Sequence, residues 1–262
     1  VTIVDVTRHE TNWESAVADW PRTRGHRVLR AYGDELNARL AEAWLGTGPR
    51  PHHLLKTDLF DEAVGEGLFP RLAGLADQVE GVDVSEAVVC AARRRYPELE
   101  AQQADVRRLP FDDESFDAIV SFSTLDHFAS TAELDLGLAE LERVLSPGGR
   151  LLVTLDNAGN PLVALRNSLP WRWLASVRLV PCYVGATCGR EALDTKLRGL
   201  GLDVERRAAV MHVPRVAALG AAALWPRGRS PIPVLLAGER LGGLATRDVT
   251  GQFVAALATK PE

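Results

Sequence analysis

The chain has 262 residues, with 30 Lys and Arg against 35 Asp and Glu and a formal charge of −5. That balance, with no basic run, lacks the electrostatic footprint of a nucleic-acid binder. The longest apolar stretch, 216–225, is about half of the ~20 residues a membrane span needs. Three cysteines (Cys90, Cys182, Cys188) without C-x-x-C spacing argue against a disulfide framework or a zinc site, so a reducing, cytoplasmic setting is the default. The start, VTIVDVTRHE, is too acidic and too short in apolar run for a signal peptide.

Residues 1–24 show no clean periodicity, and Trp13 and Trp20 are the anchors they offer. The spacing of Val28, Leu29, Tyr32, Leu36, Leu40 and Trp44 predicts a helix over 26–45. GTGPRP at 46–51 is a loop. A short apolar strand at Leu59 and Phe60 is expected to run into a bend rich in small residues, 61–67. A strand beginning at Asp58 would leave Lys56 on a solvated edge; if it begins earlier, Lys56 or Thr57 helps fix the first loop. The helical stretch LFPRLAGLA follows, then a second strand, QVEGVDV, carrying Asp83.

Ser85 caps a helix over 85–96. A third strand closes at 101–105, and 109–116 is an acidic loop. AIVSFS forms a fourth strand, and 131–145 is an amphipathic helix ended by Pro147-Gly148-Gly149. The unbroken apolar run 151–155 suits a buried parallel strand. Beyond Asn157 lies a long connection with Trp171, Trp173 and Tyr183, longer than a crossover needs. A helix over 191–201, a strand over 204–212, a helical insert at about 215–244 and a strand over 252–259 complete the chain. Alternating strands and helices imply an α/β, doubly wound, Rossmann-like sheet with its site at the carboxyl ends of the strands.

The bend and the acid after it resemble a nucleotide-binding unit. Small residues let a ligand approach the backbone, and an acid ending the second strand can accept two hydrogen bonds from a ribose diol. Asp61, Glu62 and Glu66 crowd the bend and would repel a pyrophosphate, which such turns otherwise welcome. A nucleoside with no phosphate and a positive centre fits better, and S-adenosyl-L-methionine is such a molecule.

From about 54 to 157 the chain resembles the class I S-adenosylmethionine-dependent methyltransferases of the small-molecule type. Asp61-x-Ala63-x-Gly65-x-Gly67 stands where that family carries D/E-x-G-x-G-x-G, with Ala63 replacing the first glycine. The resemblance gives Asp83, followed by Val84, the ribose, and Asp105, followed by Val106, the adenine amino group. It also places Phe116-Asp117, Ser121 in the fourth strand, LDHF and LERVLSPGGRLLVTLDN in family motifs. It implies a mostly parallel seven-stranded sheet with an antiparallel last strand, in a single domain: a helical cap (1–50), a cofactor-binding half (51–157) and an acceptor-side half (158–262).

Methyl transfer from a sulfonium requires mainly alignment and exclusion of water, and a hydroxyl acceptor also gains from a base. His127 after the fourth strand and His212 ending the sixth are the candidates, each with a packing role as its alternative, while His53 reads as a surface or packing residue. Tyr32, Trp171 and Tyr183 are the candidate acceptor contacts, with packing against the sheet as the alternative for Tyr32 and a hydrophobic cover over an exposed sheet face as that for Trp171 and Tyr183. The expected function is methyl transfer to the oxygen or nitrogen of a small-molecule metabolite. The competing classes are a non-catalytic S-adenosylmethionine-binding protein and an NAD(P)-dependent oxidoreductase.

Overall fold

The computed structural model describes residues 4, 5, 10, 11, 13, 17, 18, 23–169 and 185–262. Seven strands form one sheet: β1 (His53–Lys56), β2 (Gln78–Asp83), β3 (Glu100–Gln103), β4 (Phe116–Phe122), β5 (Leu145–Asp156), β6 (Asp203–Val210) and β7 (Phe253–Thr259). Their order across the sheet is β3-β2-β1-β4-β5-β7-β6. β1 to β5 pair in parallel, and β7 runs antiparallel to both β5 and β6. The sheet is therefore the doubly wound one expected, with its last strand reversed. Its order turns back between β1 and β4, and a crevice opens at such a switch point.

Alternation along the strands divides the core between the two faces. Leu55, Ile119, Leu151, Val153 and Ala256 pack on one side, with Leu134, Leu138 and Leu141 of a helix spanning Thr131–Val144. Leu54, Val120, Leu152 and Leu257 pack on the other, with Ala38, Ala41 and Leu45 of the N-terminal helix Arg24–Leu45. The 131–144 helix starts in a capping box: the Ser130 hydroxyl accepts from the Glu133 N–H, and the Glu133 carboxylate reaches back to the Ser130 N–H. It ends at Val144. Pro147-Gly148-Gly149 lies inside β5 rather than closing the helix, with Gly148 at φ 74° and its N–H bonded to Lys260.

The first strand departs from expectation. It ends at Lys56, and Leu59 and Phe60 are not strand: Phe60–Val64 is a short helix. Lys56 sits on no solvated edge. Its side chain is buried and pairs with buried Glu62 at 3.0 Å. Burial opposes this lysine's charge, but the Glu62 and Asp58 carboxylates outweigh it and hold the ammonium above the ordinary lysine range. Glu62 also accepts from the N–H groups of Leu68 and Phe69, so one buried carboxylate ties the end of β1 to the next helix, Phe69–Leu72.

The insert between β6 and β7 is helical, over Arg215–Leu224 and Ile232–Gly238. Tyr32 is fully buried where the N-terminal helix meets it, against Met211, Ala218 and Leu235. No described helix is long and apolar enough to cross a membrane.

Candidate active site

A cavity of about 210 Å³ lies at the carboxyl ends of β1 to β4. Thr57, Asp58 and Phe60 line it after β1, Asp83 and Val84 after β2, and Ala104 to Arg107 after β3. Thr124, His127, Phe128, Ala129 and Glu133 close the β4 side, and Trp13 reaches in from the N-terminal segment.

The bend below this cavity is Thr57-Asp58-Leu59, and its side chains hold it. The Thr57 hydroxyl donates to Ser121 Oγ at 3.0 Å and lies 2.9 Å from the Thr124 hydroxyl. It thereby joins the ends of β1 and β4. Asp58 Oδ1 accepts from the Phe60 N–H at 2.7 Å. Leu59 is buried and its N–H donates to Asp83 Oδ2 at 3.1 Å. A Cβ on Gly81 would stand 2.5 Å from Leu59 Cδ2, so the glycine in β2 makes room for the bend.

Asp83 is 8% exposed. Its second oxygen accepts from the Ser85 N–H at 2.9 Å. Burial and the neighbouring Asp58 push its carboxyl up to about 7, against those backbone donors and Lys56. Val84 beside it is 49% exposed, an apolar side chain left open in the cleft.

Across the cleft, both Asp105 oxygens accept from Arg107 Nε at 3.0 Å, and Arg107 Nη1 reaches Glu133 at 2.5 Å. Partial burial opposes the Asp105 charge, and Arg107 outweighs it, holding the carboxyl below its usual range. The guanidinium also lies 4.8 Å from the Phe128 ring centroid.

His127 ends a short 3₁₀ turn, Leu125–His127, with its ring 5.1 Å from that of Trp13 and Nε2 3.9 Å from Asp126 Oδ1. Asp126 is wholly buried and accepts from the Ser123 hydroxyl and the Asp156 N–H. Burial raises its carboxyl to about 6, with Asp156 adding and His127 subtracting.

Of the site residues expected from sequence, the cleft gathers Asp83, Val84, Asp105, Val106 and His127. Ser121 lies buried beneath it, bound to Thr57. Asp61, Ala63, Gly65 and Gly67 are not among the residues that line it: the chain turns at 57–59, before the glycines are reached. Asp61 pairs with Arg30. Gly65 closes the 60–64 helix, where a Cβ would meet Arg30 Cδ at 3.2 Å. Gly67 has φ 64°, and a Cβ there would stand 2.6 Å from the Glu62 carboxyl carbon. Gly67 thus leaves room for Glu62 of the buried Lys56–Glu62 pair.

His212 is not a free base in this fold. Its Nδ1 lies 2.8 Å from the Thr250 hydroxyl and its Nε2 2.9 Å from the Ala209 carbonyl, and its N–H donates to Glu239. Tyr32 donates to the same Glu239 and stands outside the cleft. Burial and that acceptor raise its phenol above the ordinary tyrosine range. His53 packs beside the Phe116 ring at 4.3 Å. Trp171 and Tyr183, like Trp20, lie outside the described residues.

Trp13, Arg107, Phe128 and Glu133 were not expected at the site. No periodicity marks them; loop and helix-start residues join the cleft through topology alone. Thr57 and Asp58 carried a signal, the polar run KTD at the end of an internal parallel strand.

Residues 60–153 match a family model described as a methyltransferase domain. A probable S-adenosylmethionine-dependent methyltransferase of Mycolicibacterium smegmatis is 35% identical over 107 residues, 40% of each chain. A demethylmenaquinone methyltransferase of Beutenbergia cavernae is 42% identical over 101 residues, 36% of this chain and 39% of that one. The chain thus spans about two-fifths of the length of these curated relatives. Among solved structures, the N-methyltransferase NodS of Bradyrhizobium japonicum, in complex with S-adenosyl-L-homocysteine, superposes with a TM-score of 0.56 at 15% identity, over 98% of this chain and 97% of that one.

Proposed function

We propose, for a chain whose residues 60–153 match a methyltransferase domain model and which resembles probable S-adenosylmethionine-dependent methyltransferases, that it transfers the methyl group of S-adenosylmethionine to an oxygen or nitrogen of a small-molecule acceptor. The observation that carries this reading is the acidic floor of the cleft. Asp83 ends β2 with its carboxylate in the cavity, beside the open side chain of Val84 and one strand away from the switch point between β1 and β4.

The donor set suits the cofactor. A buried carboxylate already held by two backbone N–H groups is a fixed acceptor for ribose hydroxyls. Val84, Val106 and Phe128 offer apolar surface for a purine. A carboxylate has about four acceptor positions, so Asp105 retains capacity for an exocyclic amino group while Arg107 holds it in place. No lysine or arginine lines the strand-end side of the cavity, and Arg107 is already engaged by Asp105 and Glu133. A diphosphate would meet the Asp58 and Asp83 carboxyl groups first, with Lys56 buried behind them and turned to Glu62, which disfavours a dinucleotide.

Bound there, the cofactor supplies an activated methyl group on a sulfonium. The protein's own tasks are to exclude water, orient the acceptor and take up its proton. His127 is the residue we assign to the proton, because its ring lines the cavity and the buried Asp126 carboxylate lies beside its Nε2. A small acceptor agrees with the acidic charge balance, and the demethylmenaquinone methyltransferases among the relatives are named for a small molecule.

The test is methyl transfer from isotopically labelled cofactor to a panel of phenols, hydroxy acids and amines, read by mass spectrometry. The expected result is label in at least one product, with kcat for His127→Ala lower by about 10²-fold or more. Tight cofactor binding with no turnover across the panel would favour the non-catalytic reading. An unchanged pH–rate profile in the His127→Ala protein would remove that residue from proton transfer.

A further inference from the structure

The insert between β6 and β7 is apolar on more than the side it buries. Its first helix, Arg215–Leu224, turns Ala218 and Ala222 inward, and Ala218 packs in the cluster around Tyr32. At about 3.6 residues per turn, the opposite face carries Val216, Ala217, Gly220, Ala223 and Leu224, none with a polar side chain. Val216 is 72% exposed and Leu224 88%. A helix apolar all round is normally covered on every side; this one is covered on one. The second helix, Ile232–Gly238, repeats the arrangement, with Leu235 buried in the same cluster and Val234 exposed. Leu241 and Leu244 beyond it are exposed as well. Between 215 and 247 the chain carries five arginines, Arg215, Arg227, Arg229, Arg240 and Arg247, against one acid, Glu239. Glu239 is turned inward, where it accepts from the Tyr32 hydroxyl and the His212 N–H. Arg227, Arg229, Arg240 and Arg247 are exposed, and among the described residues none of the four is in an ion pair. On a chain of formal charge −5, this insert joins bare apolar side chains to positive charge.

We propose that the outward face of this insert binds the surface of an anionic lipid bilayer. Val216 and Leu224 enter the boundary between headgroups and acyl chains, and the arginines stay among the phosphates, which is how interfacial helices are held to membranes. Charge complementarity selects this occupant. A second copy of the chain, docked about a two-fold axis, would set the same arginines against one another. A protein–protein interface carries about one hydrogen bond per 100–200 Å², and the outward face of the Arg215–Leu224 helix has no side chain able to make one. None of these residues lines the cleft, so the surface can be altered without touching the cofactor site.

Co-sedimentation of the whole chain with vesicles tests this, using phosphatidylcholine alone and phosphatidylcholine mixed with an equal amount of phosphatidylglycerol. The expected result is binding to the mixed vesicles at least about tenfold tighter than to the neutral ones. That preference should fade between about 0.1 M and about 1 M salt, as screening shortens the reach of the arginines. Leu224→Glu should weaken binding to the mixed vesicles about tenfold or more, by putting a charge where an apolar side chain enters the lipid. Replacing Arg227 and Arg229 together (Arg227→Gln, Arg229→Gln) should weaken it about fivefold for each arginine. All three positions are exposed, so the variants should keep the thermal midpoint of the wild type. No binding to either vesicle, equal binding to both, or unchanged binding in Leu224→Glu would overturn the assignment. A dimer in sedimentation velocity that Leu224→Glu dissociates, without vesicle binding, would give the face to a second copy instead.

Discussion

At Asp83, two demands meet on one carboxylate. Burial and Asp58 favour the proton, whereas its backbone donors and Lys56 favour the charged form, and the balance lies at about 7. The folded-state value stands above the ordinary aspartate value of 3.8. Between those two values the native protein holds a proton that the unfolded chain has released, so this group lowers stability as pH rises from about 4 to about 7. Affinity for a cationic nucleoside runs the other way, because the ionised carboxylate is the acceptor. S-adenosylhomocysteine affinity measured from pH 5.5 to 8.5 is expected to rise through about 7 and then level off. In Asp83→Asn that rise should shrink, with binding weaker by about 1–3 kcal/mol at pH 8. A flat profile in the wild type would separate Asp83 from the ligand.

At the scale of the element, the first βα unit turns on a buried ion pair. Lys56 and Glu62 lie below the cleft, and Gly67 is needed because its φ is 64° and a Cβ would enter the Glu62 carboxylate. Gly67→Ala is therefore expected to cost about 1–3 kcal/mol of stability in urea unfolding. Cofactor affinity in the folded fraction should stay within about twofold of wild type, since the glycine does not line the cavity. A large affinity loss at unchanged stability would return the glycine to the ligand.

This unit is also where the sequence misleads. Asp61-x-Ala63-x-Gly65-x-Gly67 has the spacing of a ligand turn, yet the strand ends at Lys56 and the bend arrives four residues sooner than that spacing implies. The polar run KTD was the available clue, since a lysine at the end of an internal parallel strand must find a buried partner. Glu62 is that partner. By contrast, the 131–144 helix, β4, β5 and the acid at 83 were legible, because capping residues, unbroken apolar runs and a strand-terminal carboxylate are local signals. His212 and Tyr32 were not, because both are fixed by Glu239, distant from them in sequence.

Over the whole molecule, the seven-stranded sheet presents the ends of four strands to one cavity, and the chemistry is distributed among them. β1 supplies the bend and its charge, β2 the buried acid Asp83, β3 the Asp105–Arg107 pair and β4 the 3₁₀ turn with His127. A ligand touching all four fastens the central sheet. Saturation at a hundredfold excess over Kd should stabilise the native state by about 2.7 kcal/mol, raising the thermal midpoint by roughly 5–10 °C for a chain of this size.

The most direct measurement is calorimetric competition between S-adenosylhomocysteine and NADH on the wild-type protein at pH 8. The expected result is one site per chain for S-adenosylhomocysteine, at least about tenfold tighter than for NADH, and weakened in Asp83→Asn. Equal affinity for the two ligands, or tighter binding of the diphosphate, would contradict an acidic cleft built for a cationic nucleoside.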